Sequence, residues 1–339
     1  MPPKTKTTTK RRTKKTTPEG REDRVDDKDH VEKNPVVVKA TDRVCKMISW
    51  NVAGLRACIR KGDFEKFLED HNPDIMGLQE VKASPEQVQK AHPECWERLV
   101  RDYPYYVWAD SKAKKGYAGV ALFSRRPFLQ SRVGLGKELH DKYGRIITVE
   151  YPDFYLVTTY VPNSGTRLVN LDYRTNEWNL DFQEWIKKLQ TEGMGKKGSG
   201  GTEGKGAGKE VIVSGDLNVA HKSWDLNNDK SNLNRSPGYT DRECAGMTTL
   251  LEECHLVDSF RVMEWSGVEP ESKGNYSYWS NFRNARAKNI GWRIDYFLVS
   301  SSSSSSSSPK SLCQRVSRAE ILSSVMGSDH CPVSLTITC

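Results

Sequence analysis

The chain has 339 residues, 36% of them hydrophobic and 28% charged, which is enough for one large domain or two small ones. No apolar run approaches the ~20 residues of a membrane span, and the N-terminus lacks the apolar stretch of a secretory signal. Much of the formal net charge of +8 comes from the lysines and arginines that precede Glu19, so any nucleic-acid surface on the folded part must be a local stripe.

Residues 1–43 are rich in Lys, Thr, Asp and Pro, have no apolar periodicity and are expected to form a disordered basic tail. The clusters Lys10-Arg11-Arg12 and Lys14-Lys15 favour a nuclear import signal or a sequence-independent contact with phosphates. We therefore expect a nuclear protein, with a mitochondrial fraction as the alternative. The eight cysteines have no paired spacing, which indicates reduced thiols inside a cell.

One catalytic domain is expected over residues 44–339. Helical spacing predicts helices over Leu55 to Glu69, Tyr173 to Leu189 and Asp241 to Cys254. Apolar runs predict strands at Cys45 to Trp50, Asp74 to Gln79, Tyr105 to Ala109, Val120 to Ser124, Ile146 to Tyr151, Phe154 to Val161, Val211 to Ser214, Ile294 to Val299, Ala319 to Leu322 and Val333 to Ile337. Many strands with few, unevenly spaced helices predict an α/β protein in which packed sheets have helices outside.

Two low-complexity segments interrupt this pattern. Residues 193–209 are rich in Gly and Lys, and residues 300–308 are nine consecutive serines. Both are expected to be flexible surface inserts without a chemical role. Because polar motifs lie on both sides of each insert, neither marks a domain boundary.

Five polar clusters share one feature, since each places an acid, an amide or a histidine beside an apolar run. The clusters are Ser49-Trp50-Asn51, Leu78-Gln79-Glu80, Gly215-Asp216-Leu217-Asn218, Trp292-Arg293-Ile294-Asp295-Tyr296 and Gly327-Ser328-Asp329-His330-Cys331-Pro332. A single acid at a strand end is more often a turn or cap residue than a catalytic one. Five similar clusters are hard to produce by chance, and together they predict one metal-assisted hydrolytic site.

Hydrolysis of a phosphodiester requires neutralised phosphate oxygens, a deprotonated water and a stabilised leaving group. Glu80 supplies a hard oxygen ligand of the kind that Mg²⁺ prefers. Asp216 and Asn218 are two residues apart after a strand, so we expect both to face the same side. These three side chains therefore cover the first two requirements.

The third requirement, a stabilised leaving group, is met by residues near the C-terminus. Asp295 can orient His330 by accepting its ring hydrogen, and Asp329 is a second carboxylate for a metal ion or for the leaving group.

At this point the sequence resembles the exonuclease III type of apurinic/apyrimidinic endonuclease, within the endonuclease/exonuclease/phosphatase superfamily, and is closest to the nuclear enzymes of animals and plants. The motifs that carry the resemblance are SWNVAGLRA (49–57), DIMGLQEVK (74–82), GYAGVALFSR (116–125), TYVPNSG (159–165), GDLNVAH (215–221), NARAKNIGWRIDYFL (284–298) and GSDHCP (327–332). The resemblance implies a four-layer sandwich of two packed mixed β-sheets flanked by helices.

The resemblance also implies roles for individual residues. Glu80 matches the principal Mg²⁺ ligand, Asn51 the amide that supports the metal site, and Asp329 a carboxylate near the metal and the leaving group. The implied catalytic residues are Asp216, which activates water, Asn218, which orients it, the dyad His330 and Asp295, and the phosphate-side donor Tyr160. The implied substrate contacts are Asn163, the backbone-contacting Arg56, Lys82 and Tyr117, and the pocket wall Tyr278, Trp292 and Ile294.

The sequence departs from the family at several of these sites. Ala53 stands where the family usually has Asp or Asn near the metal, so we expect weakened but not abolished Mg²⁺ affinity. Thr166, Phe282 and Arg283 replace the residues that usually insert into DNA, which changes the details of the DNA contact.

The implied activity is Mg²⁺-dependent hydrolysis of DNA on the 5′ side of an abasic site in base-excision repair, with Mn²⁺ as a substitute metal and a weaker 3′-5′ exonuclease and 3′-phosphodiesterase activity. The expected partners are double-stranded DNA with abasic sites and other base-excision repair proteins, and we expect a monomer that binds no membrane. Two alternatives remain open. One is a superfamily phosphoesterase acting on an inositol phosphate, sphingomyelin or an RNA tail, and the other is a catalytically weakened DNA-binding scaffold.

Overall fold

The computed structural model describes residues 44–197, 203–204, 208–301 and 311–338. The predicted N-terminal tail lies outside these ranges. The strands are β1 Val44–Asn51, β2 Ile75–Gln79, β3 Tyr105–Ala109, β4 Val120–Ser124, β5 Gln130–Val133, β6 Ile146–Glu150, β7 Phe154–Tyr160, β8 Lys196–Lys197, β9 Glu203–Gly204, β10 Glu210–Asp216, β11 Leu256–Asp258, β12 Asp295–Ser300, β13 Val316–Ile321 and β14 Val333–Thr338. The α-helices are α1 Leu55–Arg60, α2 Asp63–His71, α3 Pro85–Ala91, α4 Pro93–Asp102, α5 Glu138–Asp141, α6 Asn179–Thr191, α7 Asp229–Asn232, α8 Asp241–Glu253, α9 Met263–Ser266 and α10 Leu312–Arg315.

The described strands form two six-stranded sheets and one two-stranded ribbon. The first sheet has the order β13-β14-β1-β2-β4-β3 and the second β11-β12-β10-β7-β6-β5, while β8 and β9 form the ribbon. Strands β1 and β2 are parallel, as are β7 and β10, and the other neighbours are antiparallel. Both large sheets are therefore mixed, as predicted.

Three buried apolar layers hold the sheets and helices together. Side chains of both sheets, including Met47, Leu122 and Ile212, form the core between the sheets. Phe64 of α2 belongs to the core on the outer face of the first sheet, and Ile186 of α6 to the core on the outer face of the second. The predicted four-layer sandwich, helix–sheet–sheet–helix, is thereby confirmed.

The prediction of one helix over Leu55 to Glu69 was wrong, because two helices occupy this segment. Gly62 separates α1 from α2 and has a φ of 79°, a left-handed conformation that glycine adopts without steric cost. The helices α3 and α4 were not predicted at all. Both begin at a proline, which is favourable at the first turn of a helix although it interrupts a periodic pattern.

The predicted amphipathic helix over Tyr173 to Leu189 has two parts. Residues Tyr173–Trp178 form a π-helical turn, and α6 continues from there to Thr191. The predicted apolar stripe is buried across both parts, with Trp178, Phe182 and Leu189 all in the core. The periodicity therefore identified the buried face correctly and missed the change in helix type.

The serine run is not entirely a surface insert. Ser300 is the last residue of β12, is buried, and accepts a hydrogen bond from the backbone N–H of Val211 at 2.9 Å. Residues 302–308 of the run, like residues 198–202 and 205–207 of the other insert, lie outside the described residues. Within the part of the chain that the structure describes, no helix has the length and apolar character required to cross a membrane.

The lowered pKa of His221, the last residue of the GDLNVAH motif, makes the stability of the fold depend on pH. Burial, reinforced by the charge of Lys222, lowers the pKa of this ring to about 4, and its Nε2 lies 2.7 Å from Thr248 Oγ1 on α8. In the unfolded chain the His221 ring titrates near 6.5, so as the pH falls the unfolded chain binds a proton before the folded protein does. The stability that this residue contributes above pH 6.5 is therefore lost as the pH falls towards 4.

Between pH 7 and pH 5 we expect the free energy of unfolding to fall by about 1.5–2 kcal/mol more in the wild type than in H221Q. Urea denaturation at the two pH values measures this difference. An equal fall in both proteins would contradict the assignment of a neutral, half-buried His221.

Candidate active site

The predicted polar clusters meet at one edge of the sandwich, where the parallel strand pairs of both sheets end. In the first sheet Asn51 is paired with Gln79, the residue before Glu80, and in the second Tyr160 is paired with Asp216. A hydrogen bond of 2.9 Å from Asn51 Nδ2 to Asp216 Oδ2 joins the two sheets at this point. The site is therefore assembled across the interface of the two sheets.

Asp216 is held by the turn that follows it. Asn218 has a left-handed φ of 50°, donates its backbone N–H to Asp216 Oδ1 at 2.9 Å, and donates its side-chain amide to the Val161 carbonyl at 2.8 Å. Gly215 has a φ of 139°, and a Cβ atom there would lie 1.9 Å from the Thr159 carbonyl oxygen. Only glycine therefore allows β10 to approach β7 closely enough to place Asp216 in the cleft.

Asn51 connects the two carboxylates of the site. Its Nδ2 donates to Glu80 Oε1 at 3.0 Å as well as to Asp216 Oδ2, and its Oδ1 accepts the backbone N–H of Ala53 at 3.0 Å. Asn51 therefore holds Glu80 and Asp216 together at the predicted metal site, and its amide oxygen keeps a second lone pair.

Glu80 has donors on both carboxylate oxygens. Oε1 accepts from Asn51, and Oε2 lies 2.8 Å from the Nζ of Lys82. Burial opposes ionisation of Glu80, but the charge of Lys82 and these hydrogen bonds outweigh it and hold the pKa below its usual value. Glu80 is therefore a negatively charged carboxylate at the edge of the cleft, and its oxygens can act as metal ligands.

His330 and Asp295 form a buried hydrogen-bonded dyad. His330 Nδ1 lies 2.8 Å from Asp295 Oδ2, and the same oxygen accepts from Ser277 Oγ at 2.7 Å. Burial alone would favour the neutral ring, but the charge and hydrogen bond of Asp295 outweigh it and raise the pKa of His330 to about 10. The ring is therefore positively charged at neutral pH, and its Nε2 lies 3.9 Å from Asp216 Oδ2.

Burial, followed by the negative charge of Asp295, raises the pKa of Asp216 above its usual value. A carboxylate with a raised pKa is a stronger base than an ordinary aspartate, which suits a proton acceptor.

Ligand atoms of Asp216, Asp295 and His330 lie within 4.8 Å of one another, close enough for a metal ion. Because His330 Nδ1 is already hydrogen-bonded to Asp295, we interpret this group as a dyad facing a carboxylate. Glu80 offers an anionic oxygen at the opposite side of Asn51, and the half-buried Asp329 precedes His330 in the loop. These hard oxygen donors fit a divalent cation such as Mg²⁺.

Tyr160 lies at the end of β7 beside a buried arginine. Burial and then the charges of Glu80 and Asp216 raise the pKa of Tyr160 well above its usual value, so its hydroxyl remains a neutral donor. Arg145 Nη1 donates to the Tyr160 carbonyl at 3.2 Å, and its Nη2 donates to the hydroxyl of the partly exposed Tyr117 at 2.9 Å. Arg145 thus connects a predicted phosphate donor with a predicted backbone contact.

The predicted substrate residues differ in their contacts with the site. Asn163 Nδ2 donates to Asn218 Oδ1 at 2.9 Å, and the Tyr278 ring centroid lies 4.8 Å from that of His330. Trp292 pairs with Tyr278 through an isolated bridge and packs beside Ile294. Arg56 lies exposed on α1, and its side chain makes no hydrogen bond or ion pair with the other described residues.

Several residues that position the site were not predicted. Ser328 Oγ donates to the Asn51 carbonyl at 2.7 Å and so fastens the loop of His330 to β1. The buried Glu243 accepts from Ser164 Oγ at 2.5 Å and from the Gly238 N–H at 3.0 Å, which links two loops near the cleft. The motif GSDHCP contains Ser328 and could have indicated it, whereas nothing local to Glu243 distinguishes it from an ordinary helix-capping acid.

A sandwich of two mixed sheets with a buried acidic cleft that fits a hard cation defines a metal-dependent phosphoester hydrolase. Residues 48–330 match the sequence profile described as Endonuclease/Exonuclease/phosphatase family. The chain belongs to this family, and within it to the exonuclease III type of apurinic/apyrimidinic endonuclease.

Individual relatives match over most of their length. The chain is 40% identical over 290 residues to the DNA repair nuclease APEX1 of Danio rerio, covering 86% of this chain and 81% of the relative. It is 41% identical over 292 residues to an exodeoxyribonuclease of Bacillus subtilis, covering 86% and 99%. The crystal structure of an AP endonuclease from Leishmania major is similar with a TM-score of 0.69 and 29% identity, over 90% of this chain and 93% of that one.

Proposed function

We propose that this protein is a Mg²⁺-dependent endonuclease that hydrolyses the DNA phosphodiester on the 5′ side of an abasic site. The products are a 3′-hydroxyl and a 5′-deoxyribose phosphate, as base-excision repair requires. The observation that carries the proposal is the hydrogen-bonded bridge of Asn51 between Glu80 and Asp216, with the charged His330 Nε2 3.9 Å from the Asp216 oxygen that Asn51 binds. The site therefore brings together a proton acceptor (Asp216), a carboxylate ligand for a cation (Glu80) and a fixed positive charge (His330).

Asp216 is the proposed acceptor of the proton of the attacking water. Its two oxygens accept from Asn218 N–H and Asn51 Nδ2, both at 2.9 Å, so the carboxylate cannot rotate away from the cleft. Asn218 has its own side chain fixed by Val161 and Asn163, and can orient the same water. Such fixed geometry lowers the barrier because the reacting groups need no reorganisation.

The cationic His330 is the proposed electrostatic partner of a non-bridging phosphate oxygen. Asp295, which itself accepts from Ser277, holds the ring in one orientation, and Tyr160 offers a neutral hydroxyl donor from the second sheet. Positive charge and donors that are placed before the reaction stabilise the charge that develops on the phosphate. A Mg²⁺ ion held by Glu80 and Asp329, with Asn51 in support, would add charge neutralisation and Lewis acidity.

Selectivity for an abasic site follows from the wall of the cleft beside His330. Tyr278, Trp292 and Ile294 form an apolar cluster together with Leu226 and Tyr239. A sugar without a base fits against such a wall, and its extrusion from the duplex costs little pairing or stacking energy. The same site would support weaker 3′-5′ exonuclease and 3′-phosphodiesterase activities. We further propose a nuclear monomer that acts on double-stranded DNA with other base-excision repair proteins.

The decisive assay uses an oligonucleotide duplex with a single tetrahydrofuran site, with Mg²⁺, with Mn²⁺ and with EDTA. We expect one nick, 5′ to the analogue, that depends on the metal ion, and no nick in the matched intact duplex. Hydrolysis of an inositol phosphate, sphingomyelin or an RNA tail without nicking would favour the alternative phosphoesterase. EDTA-insensitive duplex binding without any nick would favour the DNA-binding scaffold.

A further inference from the structure

Each oxygen of Glu80 already accepts from one donor, and a cation that binds this carboxylate is repelled by the Lys82 ammonium, whose Nζ lies 2.8 Å from Oε2. The Asn51 amide is buried and bound at both ends, since it also holds Asp216 and accepts from Ala53. The Lys82 ammonium ends a flexible four-carbon stem and its side chain is 34% exposed. Lys82 is therefore the donor that can leave without disturbing the rest of the site.

The main chain around Lys82 is fixed, so its side chain can move alone. Glu80 and Lys82 both have left-handed φ values, 50° and 51°, and the buried Val81 lies between them. The backbone N–H groups of Val81 and Lys82 donate to the carbonyls of Gly119 and Ala118 at 3.1 and 3.0 Å. Departure of the ammonium from Glu80 thus requires only rotation of side-chain torsions.

A destination for the ammonium lies beside the cleft. Lys82 lines an open cavity of about 180 Å³ together with Lys115, Tyr117 and the polar side chains of Ser84 and Ser111. Asp110 also lines it, so the cavity is not uniformly positive. Hydroxyl groups with a lysine at the rim are the groups that contact phosphate oxygens of a DNA backbone.

We propose that Lys82 is a counterion switch, which neutralises Glu80 until a metal ion takes that carboxylate and then binds a phosphate of the DNA backbone. Metal binding and DNA binding then strengthen each other by the same factor, as thermodynamic linkage requires. The inference rests on the proposed function and adds a coupling between its two ligands.

The first test measures Mn²⁺ binding without DNA by titration calorimetry. We expect K82M to bind Mn²⁺ about two- to fivefold more tightly than the wild type, the range of a partly exposed ion pair, because the ion no longer competes with the ammonium. K112M removes an equal charge from an exposed lysine of the neighbouring loop and should change the affinity less than twofold. Equal or weaker Mn²⁺ binding in K82M would overturn the proposal.

The second test follows the released ammonium without any metal. E80Q removes the carboxylate charge that holds Lys82, so Lys82 is free to contact a DNA phosphate even in EDTA. The plot of log duplex affinity against log salt concentration should therefore be less steep by about 1 in E80Q/K82M than in E80Q. In the wild-type background Lys82 remains on Glu80, and K82M should change that slope by less than about 0.5. Equal changes in both backgrounds would refute the release of Lys82.

The inference and the proposed function can fail separately. A wild-type protein that binds Mn²⁺ but nicks no tetrahydrofuran duplex contradicts the proposed function, whereas unchanged Mn²⁺ affinity in K82M contradicts the switch alone.

Discussion

D216N should lower the rate of nicking at a tetrahydrofuran site by more than about 10⁴-fold, the upper end of what is usually credited to general base catalysis alone. The substitution is nearly isosteric but removes the proton acceptor. It also replaces one oxygen by an NH₂ group, which then faces a donor, either Asn51 Nδ2 or the Asn218 N–H. The orientation of the amide and of the water is lost together with the charge, so two effects combine.

Single-turnover nicking with saturating Mg²⁺ measures this effect, and duplex binding by the same variant shows whether the cleft is intact. The matched control is D172N, because the side chain of Asp172 is 85% exposed and lies outside the site. The control should retain full activity. A D216N rate within about tenfold of the wild type would reject the assigned role of Asp216.

R293M should destabilise the fold by about 3–5 kcal/mol, the cost of removing one partner of a buried ion pair. The Arg293 side chain is buried and donates to Asp225 at 2.7 Å and to both oxygens of Asp258 at 3.1 and 2.6 Å. Arg261 also binds Asp225 and remains there in the variant. Asp258 retains only the Phe260 N–H at 3.3 Å among the described contacts, so its buried charge is uncompensated.

The same variant tests how the pocket wall is positioned. Arg293 lies between Trp292 and Ile294 and two residues before Asp295, so loss of its ion pairs should also reduce nicking at temperatures where the variant is still folded. Urea denaturation of R293M and of R293M/D258N measures the stability, and the second substitution should restore part of the loss because it removes the unpaired charge. R242M, which removes an exposed ion pair with Asp172, should cost at most about 1 kcal/mol. A loss in R293M no larger than that of R242M would contradict the importance of the buried network.

The predictability of the fold differed between kinds of element. Strands such as Tyr105–Ala109 and Val120–Ser124 were predicted with their observed bounds, because a short apolar run between polar turns is a local signal. The break at Gly62 was missed, since a helical stripe can continue across a left-handed glycine when the next helix returns to the same core. The helices after Ser84 and His92 were missed because their apolar faces are short.

Glu80, Asp216 and His330 could be predicted as candidates because each belongs to a recognisable segment beside a strand. Their mutual geometry could not, since the Asn51–Asp216 contact joins residues 165 positions apart and exists only when two sheets pack face to face. The ion pair of Lys82 with Glu80 likewise depends on two left-handed backbone conformations that composition does not reveal.

By itself the sequence determined most of the strand segments, the chemical types of the site residues and, through its motifs, the family; the short strands β5, β8, β9 and β11 were not predicted. The tertiary structure alone decided which donor occupies each carboxylate oxygen, that Asn51 bridges two acids, and that Arg293 is buried between Asp225 and Asp258. The physical reason is the distance along the chain over which each effect acts. Side-chain periodicity and turn preferences act within a few residues, whereas burial and electrostatic fields arise only after distant segments have been brought together.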